Sequence, residues 1–201
     1  MNIRQSIRRE IRARRRALTP MDAKRHAHRV ARRLLAHGPV RNGSHIAVYL
    51  PNDGEMSLVP LIGRLWRMHK RCYLPVLFGK RLWFYPYRRH DRLRPNRFAI
   101  PEPRVHPRRR RRLQSLDVVL TPLVAFDGAG NRLGMGGGFY DRTFAYLGRR
   151  RRWRRPIILG VAHAFQEVEA LPAQPWDVPL SGIVTERELR LFPAPPPTPS
   201  S

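Results

Sequence analysis

The stretch RLGMGGGFYDR at residues 132–142 constrains the fold more than any other segment of this chain. Gly134, Gly136, Gly137 and Gly138 crowd into positions 134–138. An apolar run precedes them at residues 117–126. Phe139, Tyr140, Thr143, Phe144 and Leu147 follow at the three- and four-residue spacing of a helix face. The order is strand, glycine loop, helix N-terminus, which is a recipe for an anion site. Glycines let the backbone approach a phosphate, and the free N–H groups of the first helical turn point at it. Asp141 stands in that turn, where a carboxylate can hold a magnesium ion bridging phosphate oxygens. Glycine loops also serve as plain tight turns, and this one is neither G-x-x-x-x-G-K-[ST] nor G-x-G-x-x-G. Arg132, Asp141 and the helix together move the reading toward phosphate.

The flanking pattern alternates helices with apolar strands. Ile3, Ile7 and Ile11 mark one face of a first helix. Thr19 caps a second, with Pro20 at its first position and Asp22 at its positive end. Its stripe is Ala23, Ala27, Val30, Ala31, Leu34 and Leu35, and Gly38-Pro39 ends it. Residues 45–50 read as a buried strand and 51–54 as a polar turn. Glu55 then stands at the mouth of a helix carrying Leu58, Leu61, Ile62, Leu65 and Met68. Strands are expected at 71–77, 82–85, 117–121 (central), 156–162 and 181–185, with irregular structure over 86–116. This predicts an α/β fold: a single-domain, three-layer α/β/α sandwich with a central, mostly parallel sheet over residues 1–192. The proline-rich tail, 193–201, is expected to be disordered.

Composition narrows the class. With 201 residues and 42% apolar content the chain can bury a sizeable core. Its apolar runs are too short to span a bilayer, so no membrane partner is expected. The lone Cys72 excludes an internal disulfide and fits a cytoplasmic, reducing setting; its apolar neighbours make it core filler. The net charge of +26 suits a polyanion. Yet the cations are almost all arginine, and the runs at 108–112 and 149–155 read as solvated loops rather than nucleic-acid contacts. Nucleic acid is a partner the sequence allows but does not favour. His45, His106 and His163 show no ligand spacing, so no zinc site is read from them.

The string Phe126-Asp127, Gly130, Arg132-Leu133-Gly134, Gly136, Gly138, Tyr140-Asp141-Arg142 resembles the hallmark of the 5-formyltetrahydrofolate cyclo-ligase (5,10-methenyltetrahydrofolate synthetase) family. Supporting marks are Arg4, Ile7 and Arg8, the segment 49–55, Leu74-Pro75, Glu102-Pro103 and the segment 177–186. The resemblance covers about residues 3–190. It implies an ATP-dependent ring closure of 5-formyltetrahydrofolate, which can be polyglutamylated, with release of ADP and phosphate. It also implies residue roles. Arg4, Gln5, Ser6, Ile7 and Arg8 would contact ATP, as would Arg132, Leu133, Gly134, Met135, Gly136, Gly137, Gly138, Phe139 and Tyr140. Arg132 and Tyr140 would serve catalysis. Leu50, Glu55 and residues 134–138 would meet the folate, and Asp141 and Asp177 would bind Mg2+. The family generally has lysine where Arg4 stands; arginine keeps the charge but presents a planar fork. By local pattern alone, Glu55 and Asp141 also fit as charges at helix N-termini, and Asp177 as a turn residue. The competing class is a regulatory or RNA-binding protein that uses the basic surface without turnover.

Overall fold

In the computed structural model the described residues are 2–104, 106–145, 156–172, 174 and 176–193. Leu147, the arginines of 149–155 and the tail beyond 193 lie outside them, so those expectations are not addressed by the structure. The helices are α1 (Ile3–Arg16), α2 (Pro20–Ala36), α3 (Gly38–Asn42), α4 (Val59–Arg67) and α5 (Phe139–Phe144). The strands are β1 (His45–Ala47), β2 (Arg71–Phe78), β3 (Arg81–Tyr87), β4 (Leu93–Pro95), β5 (Pro101–Pro103), β6 (Val118–Pro122), β7 (Ala125–Phe126), β8 (Arg132–Leu133), β9 (Ile157–Val161), β10 (Gly182–Val184) and β11 (Leu189–Leu191).

Seven strands form one sheet in the order β11-β10-β9-β6-β1-β2-β3. The five inner strands, from β10 to β2, run parallel. The two edges, β11 and β3, are antiparallel. The expected mostly parallel sheet is therefore present, and β6 sits at its centre. Alternate residues point to opposite faces. Ile46, Cys72, Leu74, Val118, Leu120, Leu159 and Val161 pack with Ala27, Val30, Ala31, Leu34, Leu61, Ile62 and Leu65 of α2 and α4. Ala47, Tyr73, Val119 and Ile158 pack on the other face with Leu113, Leu116, Phe126 and Phe144. Burial on both faces explains why the inner strands read as unbroken apolar runs.

A third cluster docks α1. Ile11, with Ile7 beside it, packs on Val124, Ala125, Leu133 and Leu171. This contact carries the N-terminal helix onto the β7–β8 hairpin. Ile3, expected on the same inner face, is instead 64% exposed and lies outside that cluster.

Several boundaries differ from expectation. β1 stops at Ala47, although Val48 N–H still donates to the Tyr73 carbonyl of β2 (2.8 Å). Glu55 does not start a helix: α4 begins at Val59. The segment 86–116 holds more order than expected, with the β4–β5 hairpin stitched to β2 by Glu102, whose Oε1 accepts from Leu77 N–H (3.0 Å) and Asn96 Nδ2 (2.8 Å). The run 108–112 is partly docked: Arg110 lies over the Trp83 ring, 4.0 Å from its centroid, and Arg111 bridges to Phe84. The edge strand β11 was not anticipated. Among the described residues no helix is long and apolar enough to cross a membrane.

Candidate active site

Because β1, β6, β9 and β10 are parallel, the loops leaving β1, β6 and β9 emerge at one edge, where ligands gather in such sheets. Sequence order alone left that question open. After β6 the chain folds into the β7–β8 hairpin, with Ala125 opposite Leu133 and Phe126 opposite Arg132. Asp127, 3% exposed, builds the turn. Its Oδ1 accepts from Ala129 N–H (3.1 Å) and Asn131 N–H (3.0 Å), and its Oδ2 from Leu171 N–H (3.0 Å). The turn delivers Arg132 and the glycine loop to the sheet edge.

Arg132 is buried under that loop. Its Nη2 donates to Asp141 Oδ1, and its guanidinium lies over the Phe144 ring, 5.3 Å from the centroid. Its Nη1 is buried without a partner. A buried donor without an acceptor is costly, and a phosphate oxygen is the kind of group that would satisfy it. Gly134, Met135, Gly136 and Gly137 are exposed above it. Gly136 has φ +101° and Gly138, the N-cap of α5, has φ +61°; both lie where side chains are strained.

From α1, Arg8 Nε donates to the Gly134 carbonyl (2.9 Å), and Arg4 Nη2 reaches Asp177 Oδ2 (2.5 Å). Arg4 Nε is also buried without a partner. Burial, followed by the charge of Arg4, lowers the pKa of Arg8, so this end of the helix is crowded with positive charge. The helix thus joins the glycine loop to Asp177, far apart in the chain. The rest of the N-terminal set divides: Gln5 is exposed, Ser6 is half-buried, and Ile7 faces the third cluster. Leu133 is likewise a core residue beneath the loop rather than part of its exposed rim. Phe139 packs edge-on against Phe98.

The 51–55 loop forms the opposite wall. Asp53 (φ +49°) gathers three arginines of α1: Arg12 Nε at 2.6 Å, Arg16 Nε at 2.6 Å and Arg15 Nη2 at 3.2 Å. Arg15, with its side chain 1% exposed, also reaches Met135 Sδ at 4.0 Å and so ties this wall to the glycine loop. Glu55 accepts from Asn52 N–H (3.1 Å). Burial lifts its carboxyl to about 7. Burial also raises the Tyr140 hydroxyl well above its usual range, helped by the Glu55 charge, while Thr121 at the end of β6 hydrogen-bonds to it. Leu50 packs at the margin of the main core. Arg15 and Thr121 were not singled out from sequence, and Tyr49 and Asp53 entered only within the 49–55 mark. The spacing of Arg12, Arg15 and Arg16 on one helix face was the available signal.

The structure therefore brings Arg4, Arg8, Leu50, Glu55, the 132–141 segment and Asp177 to one edge. The donors are arginine and open backbone, and the two carboxylates, Asp141 and Asp177, are ion-paired to Arg132 and Arg4. The fold and this site place the protein among α/β enzymes whose chemistry is assembled from loops at the carboxyl edge of a parallel sheet. The chain belongs to the 5-formyltetrahydrofolate cyclo-ligase family, whose model matches residues 1–186. It is 45% identical over 182 residues to the 5-formyltetrahydrofolate cyclo-ligase of Escherichia coli (strain K12), covering 87% of this chain and 96% of that one. Against the same enzyme of Haemophilus influenzae it is 42% identical over 186 residues, covering 90% and 96%. The NMR structure of Aquifex aeolicus 5,10-methenyltetrahydrofolate synthetase superposes with a TM-score of 0.81 at 29% identity, over 96% of this chain and 95% of that one.

Proposed function

We propose that this chain converts 5-formyltetrahydrofolate to 5,10-methenyltetrahydrofolate, with ATP converted to ADP and phosphate, in the cytoplasm. The observation that carries the reading is the buried, unpartnered Nη1 of Arg132 beneath an exposed glycine backbone that a carboxylate-bearing helix follows.

A formamide carbonyl is a poor electrophile, and its oxygen is a poor leaving group until it is phosphorylated. The formyl oxygen attacks the γ-phosphorus of ATP and the bond to ADP breaks. The neighbouring aniline nitrogen of the same folate then attacks the formyl carbon. That nitrogen's proton and the phosphate depart, leaving the methenyl bridge. The substrate supplies both nucleophiles, so the protein's tasks are positioning and charge neutralisation.

Arg132, Arg4 and Arg8 hold phosphate oxygens, and the backbone N–H groups of 134–138 complete the cradle. Asp141 and Asp177 are the residues that would hold Mg2+, which would supply neutralisation of the nucleotide's negative charge. Leu50 lines the folate pocket, and a Glu55 carboxyl oxygen accepts hydrogen bonds from pterin N–H groups. Tyr140 stays protonated and so acts as a donor. The cationic surface suits a folate with a polyglutamate tail.

The test is direct. Purified protein is mixed with 5-formyltetrahydrofolate and Mg-ATP, and the methenyl absorbance is followed. A product signal that requires ATP supports the reading. Its absence, alongside tight and salt-sensitive RNA binding, would replace it with the regulatory alternative.

A further inference from the structure

Behind the 51–55 loop, three elements that are remote in sequence bring metal-ligating side chains together. His26 lies on α2, His163 follows β9 and Glu186 follows β10. Nδ1 of His26 and Nδ1 of His163 are 3.0 Å apart, and His26 Nδ1 is 4.0 Å from Glu186 Oε2. One ligand atom from each residue lies within 4.8 Å of the others. His163 and Glu186 are 1% and 5% exposed.

The surroundings orient the ligand set. The buried His163 ring faces His26. That ring also bonds to the Gly54 backbone. With Nδ1 turned to His26, Nε2 is the ring nitrogen left to meet Gly54. Metal-bound imidazoles commonly donate their second N–H to a backbone carbonyl or carboxylate in this way. Glu186 is oriented too, its Oε2 accepting from Ala164 N–H at 2.9 Å. Phe165 stacks on the His163 ring with 6° between the planes. The guanidinium that bears on His163, Arg15, is ion-paired to Asp53, which leaves Glu186 to balance a cation.

The spacing fits a small tetrahedral ion. Zinc–ligand bonds of about 2.0–2.1 Å at tetrahedral angles set ligand atoms roughly 3.4 Å apart. Two of the separations, 3.0 and 4.0 Å, bracket that value, and all three ligand atoms lie within 4.8 Å of one another, so small side-chain shifts would close the set on an ion. Two imidazoles with one carboxylate favour zinc over magnesium, which takes oxygen donors. We propose that His26, His163 and Glu186 bind one zinc-class divalent ion, which ties α2 to the carboxyl edge of the sheet beside the 51–55 loop.

The test uses tag-free, metal-stripped protein in excess Mg2+, which occupies oxygen-only sites. Zn2+ is titrated by calorimetry and Co2+ by visible absorption. The expected result is one Zn2+ per chain, a Co2+ spectrum of a four- or five-coordinate nitrogen-bearing site, and a rise in Tm with Zn2+. His26→Gln and Glu186→Gln, each checked for fold by circular dichroism, should weaken Zn2+ binding by at least about tenfold. Failure of the wild-type chain to take up stoichiometric Zn2+ would overturn the proposal, and so would variants that bind it as tightly as wild type. Neither outcome bears on folate turnover, so this test is separate from that of the proposed reaction.

Discussion

Arg132 and Asp141 close on each other across the glycine loop, guanidinium Nη2 to carboxylate Oδ1. The pair ties the strand before the loop to the helix after it. Arg132 is 4% exposed at its side chain and Asp141 23%, so the contact is well shielded from water.

Asp141→Ala is expected to reduce turnover at least about a hundredfold, as loss of a metal carboxylate and of Arg132's orientation would. It should also cost about 1–3 kcal/mol of stability, because a buried arginine loses its counter-charge. Steady-state kinetics across a Mg2+ series and urea unfolding check this. Turnover at the wild-type rate would remove Asp141 from the proposed metal site.

Gly136→Ala separates strain from collision. At φ +101° a side chain is strained, yet the added Cβ would meet only the Arg8 guanidinium, at about 3.7 Å. A stability loss of about 1–2 kcal/mol is expected from the backbone alone. The KM for ATP should rise about tenfold or more, since the loop must reshape where phosphate would lie. An unchanged KM would argue against the loop as the nucleotide cradle.

Glu55 carries a pH signature. Its folded pKa of about 7 lies above the ordinary 4.5. The folded chain therefore holds this proton more tightly, and ionising the group costs stability as pH rises from about 4.5 to 7. Glu55→Gln cannot ionise. It should match wild type near pH 4 and exceed it by about 3 kcal/mol at pH 8. Denaturant melts at both pH values decide it, and a pH-independent difference would refute the burial argument.

Asp53→Ala removes the acceptor shared by Arg12, Arg15 and Arg16. The exposed Arg12 and Arg16 contribute little, but Arg15 is left buried without its ion-pair partner, and about 3 kcal/mol of stability should be lost. Burial alone would raise the Asp53 carboxyl, but hydrogen bonds from Arg16 and Arg12 outweigh it and hold the pKa low. The deficit should be full above the ordinary carboxylate range and should shrink as pH falls through the lowered value. Unfolding free energies measured from pH 7 down to pH 3 test the trend.

Much of the site was legible because its parts are contiguous. Glycine spacing, the arginine before it and the aspartate after it can be read from one string. Glu55 was found as a residue but misplaced as a helix-start charge, since the turn 51–54 is longer in space than in pattern. Asp53 was passed over because a turn aspartate ordinarily caps its own backbone. Here it faces three arginines of α1, a contact that no local spacing encodes.

Alternating apolar runs and capped amphipathic segments determined most strands, the helices, the mostly parallel sheet and the place of the glycine loop, because each rests on hydrogen bonding and periodicity within a few residues. Tertiary packing decided the rest. Docking of Ile11 on the hairpin carried Arg4 to Asp177 and Arg8 to the Gly134 carbonyl, and the parallel order of β1, β6, β9 and β10 set their loops on one edge. The same order gathered His26, His163 and Glu186. Such meetings depend on which apolar faces bury against each other, a property of the whole core rather than of any segment.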